Sequence, residues 1–112
     1  MNPIWIEHYP PGVPPEASIL RYASLKDLLE QSCERFRAHP AFTNMGVSLS
    51  YDELDRLSRA FGAWLQHEAG LTRGERVAIM LPNLLQYPVA LFGALRAGMV
   101  VVNINPLYTA RE

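Results

Sequence analysis

The sequence predicts an α/β fold centred on a βαβ parallel unit over residues 75–106, with a small hairpin and flanking helices around it. Three observations carry that reading. The apolar run Val77-Ala78-Ile79-Met80-Leu81 is short, continuous and stopped by Pro82, the pattern of a strand buried on both faces. The run Met99-Val100-Val101-Val102 is rich in β-branched residues and ends before Asn105-Pro106, where proline forces the preceding residue out of the helical region. Between them, Leu84 to Ala97 is apolar nearly all round and closes at Gly98. A connection of that length suits a crossover between parallel strands, and such crossovers are right-handed almost without exception.

Size and charge bound the rest. With 112 residues, 49% of them hydrophobic and 19% charged, the chain is long enough for one modest core. A formal net charge of −1 supplies no field to gather phosphate backbones or anionic lipid, which argues against a general nucleic-acid binder. The single cysteine, Cys33, has no partner for an internal disulfide and suits a reducing compartment. It falls on the apolar face of a predicted helix, where a thiol serves as a small hydrophobe. The opening Met1-Asn2-Pro3-Ile4-Trp5-Ile6-Glu7 lacks the basic start and apolar run of a secretory signal. The most membrane-like window, Leu84 to Ile104, is interrupted by Gln86, Pro88, Arg96, Asn103 and two glycines, and reads as a core element.

Taken in order, residues 1–23 form a Pro-rich arm. Pro3, Pro10, Pro11, Pro14 and Pro15 remove the amide donors that a sheet interior needs, so an extended segment lying across a surface is expected, anchored by Trp5, Tyr9 and Tyr22. Residues 24–70 read as helix, hairpin and helix. Ser24 caps the first helix, Asp27 supports its positive end, and Leu25, Leu28, Leu29, Cys33 and Phe36 share one face before Pro40. Ala41-Phe42-Thr43 and Val47-Ser48-Leu49 flank Asn44-Met45-Gly46, with Gly46 supplying a positive φ for the reversal. Ser50-Tyr51-Asp52-Glu53 is a capping box opening a helix to about Glu68, with Leu54, Leu57, Phe61, Trp64 and Leu65 as its buried stripe. Asp52 with Arg56, and Asp55 with Arg59, stand at the i,i+4 spacing of helical ion pairs. Gly70 ends the helix, and Leu71-Thr72-Arg73-Gly74 leads into the first parallel strand.

In the crossover helix, Pro88 requires that the regular part begin near Gln86 or that the helix kink. Gly93 lets another element approach closely, at up to about 1 kcal/mol against alanine in helix propensity. Residues 109–112, Thr109-Ala110-Arg111-Glu112, have the Thr-x-x-Glu form of a helix-opening box with no helix after it. That predicts the start of a truncated helix, and residues 1–112 as an incomplete N-terminal portion of a larger domain.

The chemical groups give little by themselves. Lys26, the only lysine, stands in no Gly-x-x-x-x-Gly-Lys loop, and no Gly-x-Gly-x-x-Gly follows either strand. His8, His39 and His67 lie in separate segments without metal-ligand companions and are expected at the surface. Asp52 and Glu53 are accounted for by capping. One candidate remains: ligands gather beyond the carboxyl ends of parallel strands, where Pro82-Asn83 and Asn103-Ile104-Asn105 are predicted, and three amides near one rim could orient a polar ligand. The competing reading has Asn83 capping the next helix while Asn103 and Asn105 satisfy turn amides.

Four blocks together resemble the N-terminal part of adenylate-forming acyl-CoA synthetases: Ser50-Tyr51-Asp52-Glu53-Leu54, Gly74 to Asn83, Gly93-Ala94-Leu95-Arg96-Ala97-Gly98, and Val102 to Tyr108. Leu81 to Glu112, with Arg21-Tyr22 at the end of the arm, is similar to the bacterial long-chain fatty-acid–CoA ligases among them. The resemblance implies the opening part of that family's large domain, and an activity in which a long-chain fatty acid is joined to AMP at the expense of ATP, with Mg2+, and then passed to coenzyme A. The family's phosphate loop, adenylate block, ribose-binding Asp and C-terminal lysine have no counterpart in residues 1–112. The resemblance therefore assigns no catalytic, cofactor-binding or metal residue here; it assigns scaffold, a fragment expected to be inactive. It also implies a cytoplasmic enzyme, with peripheral contact at the inner face of the cytoplasmic membrane expected because so apolar a substrate is usually collected at a bilayer, although no residue here shows that contact. Burial adds a further expectation: without later strands and helices the βαβ unit should leave a sheet edge open and apolar faces uncovered, so the fragment is expected to self-associate. The alternative is a free-standing α/β binding or interaction module without catalysis.

Overall fold

The computed structural model describes residues 3–18 and 21–112; Met1, Asn2, Ile19 and Leu20 of the arm lie outside them. Each element begins where the local chemistry provides a start. Helix α1 (Leu25–Phe36) is capped by the Ser24 hydroxyl, which accepts from the Asp27 amide. Strands β1 (Pro40–Asn44) and β2 (Val47–Ser50) pair antiparallel, with Asn44 opposite Val47. The reversal between them has two residues, Met45 (φ 49°) and Gly46 (φ 80°), both left-handed as the strand twist requires. Met45 thus shares a conformation expected of Gly46 alone. Helix α2 (Tyr51–His67) opens with both halves of the Ser50–Glu53 box formed.

The parallel unit is present. Strand β3 (Arg76–Ile79), helix α3 (Gln86–Arg96) and strand β4 (Val100–Asn103) follow in order, and β3 pairs in parallel with β4, Arg76 opposite Val100 and Ile79 opposite Asn103. Pro88 sits in the first turn of α3, where its missing amide would have had no helical partner.

Two buried clusters hold these elements. Leu29, Cys33, Leu49 and Leu54 join α1, the hairpin and α2, with Leu57, Val89 and Phe92 against them. Leu65, Ala94, Ala97 and Met99 join α2, α3 and the start of β4, with Phe61, Val77 and Val101 against them. Cys33 is a free, buried thiol whose pKa burial pushes up, so it packs as a small hydrophobe. The three histidines are exposed.

Several sequence expectations are corrected. The arm contains a short 3-10 turn, Ile4–His8, rather than a continuous extension, and Trp5 is 58% exposed, so it does not anchor the arm. On α2 the buried stripe is Leu54, Ser58, Gly62 and Leu65; Trp64 is 52% exposed and stacks on Phe61 at 6.0 Å. A stripe drawn from hydrophobicity alone overlooked that α3 packs so closely there that only small residues fit beneath it. Leu25 and Phe36 of α1 are likewise exposed. Asp52 meets Arg37 of the α1 end at 3.0 Å in place of Arg56, while Asp55 does meet Arg59 at 3.4 Å. The parallel strands are covered on one face only, the side of Val77, Ile79 and Val101, whereas Ala78, Met80, Val100 and Val102 are exposed.

Candidate functional site

Beyond the carboxyl ends of β3 and β4 the chain forms a cleft of about 660 Å³ lined by Ile79, Leu81 to Asn83, Tyr87 and Asn103 to Tyr108. It exists because both strands stop at the same level and their exits diverge, one into α3 and the other into the turn after Asn105. The three amides Asn83, Asn103 and Asn105, brought to one rim in the sequence reading, do line this one cleft.

Their hydrogen bonds settle what each does. Asn103 Oδ1 accepts from the Tyr87 hydroxyl at 2.6 Å, which ties the first turn of α3 to the end of β4. Asn105 Oδ1 accepts from the Leu107 amide at 3.0 Å, the local bond of an Asx turn. Asn83 does not cap α3: the residue at that position is Leu85, which makes no side-chain cap bond. Instead the Asn83 carbonyl accepts from Asn44 Nδ2 of the hairpin at 3.3 Å, linking β1 to the rim. Tyr87 and Tyr108 were not singled out by sequence. Tyr87 lies one residue before Pro88 in the first helical turn, and its position at a parallel-strand exit was the available signal.

The lining groups are amides, phenols, prolines and aliphatic side chains. They suit an uncharged hydrogen-bonding surface. None is a cation that would hold a triphosphate or a carboxylate that would hold Mg2+, so these rim residues do not fit the charged part of a nucleotide. Among the described residues no three His, Cys, Asp or Glu side chains come together as a metal site. Nor is any helix among them long and apolar enough to cross a membrane.

A second polar cluster lies at the opposite end of α3. The Arg96 guanidinium, its side chain 8% exposed, donates to the Asp55 carbonyl (3.1 Å), Asp55 Oδ1 (2.8 Å) and Ser58 Oγ (3.0 Å). It reaches Glu30 of α1 at 3.4 Å. Every named group there is partnered, and the cluster ties three helices together.

The model of the AMP-binding enzyme family matches residues 29–112. The long-chain-fatty-acid–CoA ligase of Escherichia coli O6:H1 is 57% identical over all 112 residues, which make up 20% of that relative. The ligase of the same name from Bacillus subtilis is 37% identical over 108 residues, 96% of this chain and 19% of that one. The chain thus spans about a fifth of the length of the curated relatives it matches. Among solved structures, VinN superposes with a TM-score of 0.74 at 37% identity, covering 80% of this chain and 24% of its own. Mycobacterium smegmatis MbtA gives 0.73 at 35% identity over 79% of this chain and 16% of that one. The α/β architecture is that of the opening part of adenylating enzymes.

Proposed function

The chain belongs to the AMP-binding enzyme family, and on that premise we propose that it is the N-terminal part of an ATP-dependent long-chain fatty-acid–CoA ligase. The observation that carries this is the 57% identity to the E. coli ligase over all 112 residues of the chain. In the proposed reaction a fatty-acid carboxylate attacks the α-phosphorus of ATP, forming acyl-adenylate and releasing pyrophosphate. The thiol of coenzyme A then attacks the acyl carbon and AMP leaves. Bound Mg2+ would neutralise phosphate charge during the first step.

Residues 1–112 contribute position rather than chemistry. The Tyr87–Asn103 bond and the Asn105 turn fix the rim where the sheet faces ligand, and the Arg96 cluster fixes the helices beneath it. Residues 1–23, 24–70, 75–106 and 109–112 serve as arm, helix-hairpin-helix, βαβ unit and the opening of a further helix within one domain. No catalytic, cofactor-binding or metal-binding role is assigned to these residues, and the 112-residue piece alone is inactive. A cytoplasmic setting agrees with the free thiol of Cys33.

The test is the mass and activity of the natural protein. Immunodetection in a lysate should find a species several times 12.6 kDa, and that species should form acyl-CoA from a long-chain fatty acid only when ATP and coenzyme A are both present. A natural product of 12.6 kDa, or acyl-CoA formation by the isolated 112 residues, overturns the reading.

A further inference from the structure

Three of the chain's ten lysines and arginines face one pocket. Between α1, α2 and the last turn of α3 lies a cavity of about 280 Å³, to which α1 contributes Lys26 and Glu30, α2 contributes Arg59 and α3 contributes Arg96. Ala63 and Ala97 stand among them with side chains too short to fill the space. The three cations share one lining carboxylate, Glu30, in a chain whose formal net charge is −1. Even with Asp55 counted against the two arginines, one positive charge is left over. The donors are also incompletely engaged. Arg96 Nη1 bonds Asp55 and Ser58 at 2.8 to 3.1 Å, but its Nη2 reaches Glu30 only at 3.4 Å. Arg59 Nη2 reaches the two Asp55 carboxylate oxygens only at 3.4 Å. A good charge-assisted N–H···O bond is about 2.7–2.9 Å long. Lys26 makes no ion pair among the described residues.

We propose that this pocket is a binding site for a phosphoryl oxyanion, held by Lys26, Arg59 and Nη2 of Arg96. Three separate cations around one cavity suit a tetrahedral anion, because a phosphate group carries up to two negative charges and enough terminal oxygens for each cation to meet its own. A carboxylate has only two oxygens to offer. The Arg96 side chain is 8% exposed, so its charge is poorly solvated and gains from a close anion, whereas Glu30, at 43%, can turn to water when the ligand enters. Glu30 therefore acts as a competitor for the site rather than as part of it. The ligand is a phosphate group, carried either by a small free anion or by a lipid headgroup. The pocket lies at the end of α3 opposite the strand exits, and its chemistry is independent of the ligase reading above.

The experiment titrates the full-length natural protein with inorganic phosphate by calorimetry at low ionic strength, where exposed charges are least screened, and sediments it in parallel with vesicles of phosphatidylcholine containing phosphatidylglycerol. Lys26→Gln and Arg59→Gln should each weaken binding by about three- to fivefold, the range of a partly exposed charge pair, and the double variant by about tenfold. Glu30→Gln should tighten it, because the competing carboxylate is gone; neither a diffuse surface attraction nor a phosphate site elsewhere in the enzyme would respond in that direction. Arg76→Gln, the same loss of charge outside the pocket, should change nothing. Arg96 is left intact because it holds the helices together. A response to these variants in calorimetry assigns the free anion, and one confined to the vesicles assigns the headgroup. Absence of binding to either probe, binding indifferent to Lys26→Gln and Arg59→Gln, or a Glu30→Gln variant that binds no tighter than wild type overturns the proposal.

Discussion

Gly62 of α2 and Gly93 of α3 meet so closely that a Cβ on Gly62 would stand 2.9 Å from the Gly93 carbonyl oxygen. The helices cross at the one point on each where no side chain intervenes, and this contact brings α3 down onto Ser58 and Phe61.

Gly93→Ala should therefore destabilise the fold, although alanine is the better helix former. The new methyl would lie 2.8 Å from both the Ser58 carbonyl oxygen and Phe61 Cδ1. A backbone oxygen cannot swing aside, so overpacking outweighs the propensity gain of up to about 1 kcal/mol, with a net loss of about 1–2 kcal/mol. Urea unfolding followed by circular dichroism measures it; an unchanged midpoint would mean that the helices separate without cost.

Arg96→Met should cost about 3 kcal/mol, because it leaves Asp55, with its side chain 18% exposed, short of its main partner and opens Ser58 Oγ. Arg59 stays near Asp55 and keeps the loss at the lower end. Combining it with Asp55→Asn should recover part of the deficit, since no buried charge then remains unpaired. A double-mutant cycle in urea reads that coupling, and strict additivity would remove the ion pair from the account.

The capping box predicts an acid response. The Ser50 backbone amide, and then its hydroxyl, hold the Glu53 carboxyl below its ordinary value of 4.5. A carboxylate whose pKa is lowered by folding stabilises the fold fully above the unfolded value. That contribution fades as pH falls from about 4.5 through the lower folded value. Glu53→Gln should thus narrow the gap to wild type as pH drops through this window. Ser50→Ala should cost about 1 kcal/mol at neutral pH. Parallel denaturation curves at several pH values check both, and a constant difference between Glu53→Gln and wild type across the window contradicts the assignment.

At the rim, Tyr87→Phe removes the 2.6 Å bond to Asn103 and nothing else of similar reach. The Tyr87–Asn103 coupling should be about 1 kcal/mol, the net worth of one intramolecular hydrogen bond. Amide exchange at Ile104, whose N–H is bonded to the Ile79 carbonyl at 2.9 Å, should quicken in the same variant. Exchange equal to wild type would show that β4 ends independently of α3.

Much of this architecture was present in the sequence because it depends on short-range chemistry. Ser24 and Ser50 meet their partners three residues on, Gly46 turns its own hairpin, and Pro82 and Pro106 follow the strands they stop. The three-amide rim was legible for the same reason: strand exits are marked locally, and parallel topology places them side by side. Tyr87 was missed because its partner, Asn103, lies across the whole crossover.

The sequence by itself determined where α1 to α3 and β1 to β4 lie, though not the 3-10 turn of the arm, and that β3 and β4 run parallel, since these follow from periodicity, caps and the length of the connection. Only the tertiary structure decided which face of α2 is buried, where Arg96 finds its carboxylates, and that one side of the sheet stands uncovered. Those outcomes depend on which distant surfaces meet, and α3 descending onto Gly62 makes small residues the core there while Trp64 turns to solvent.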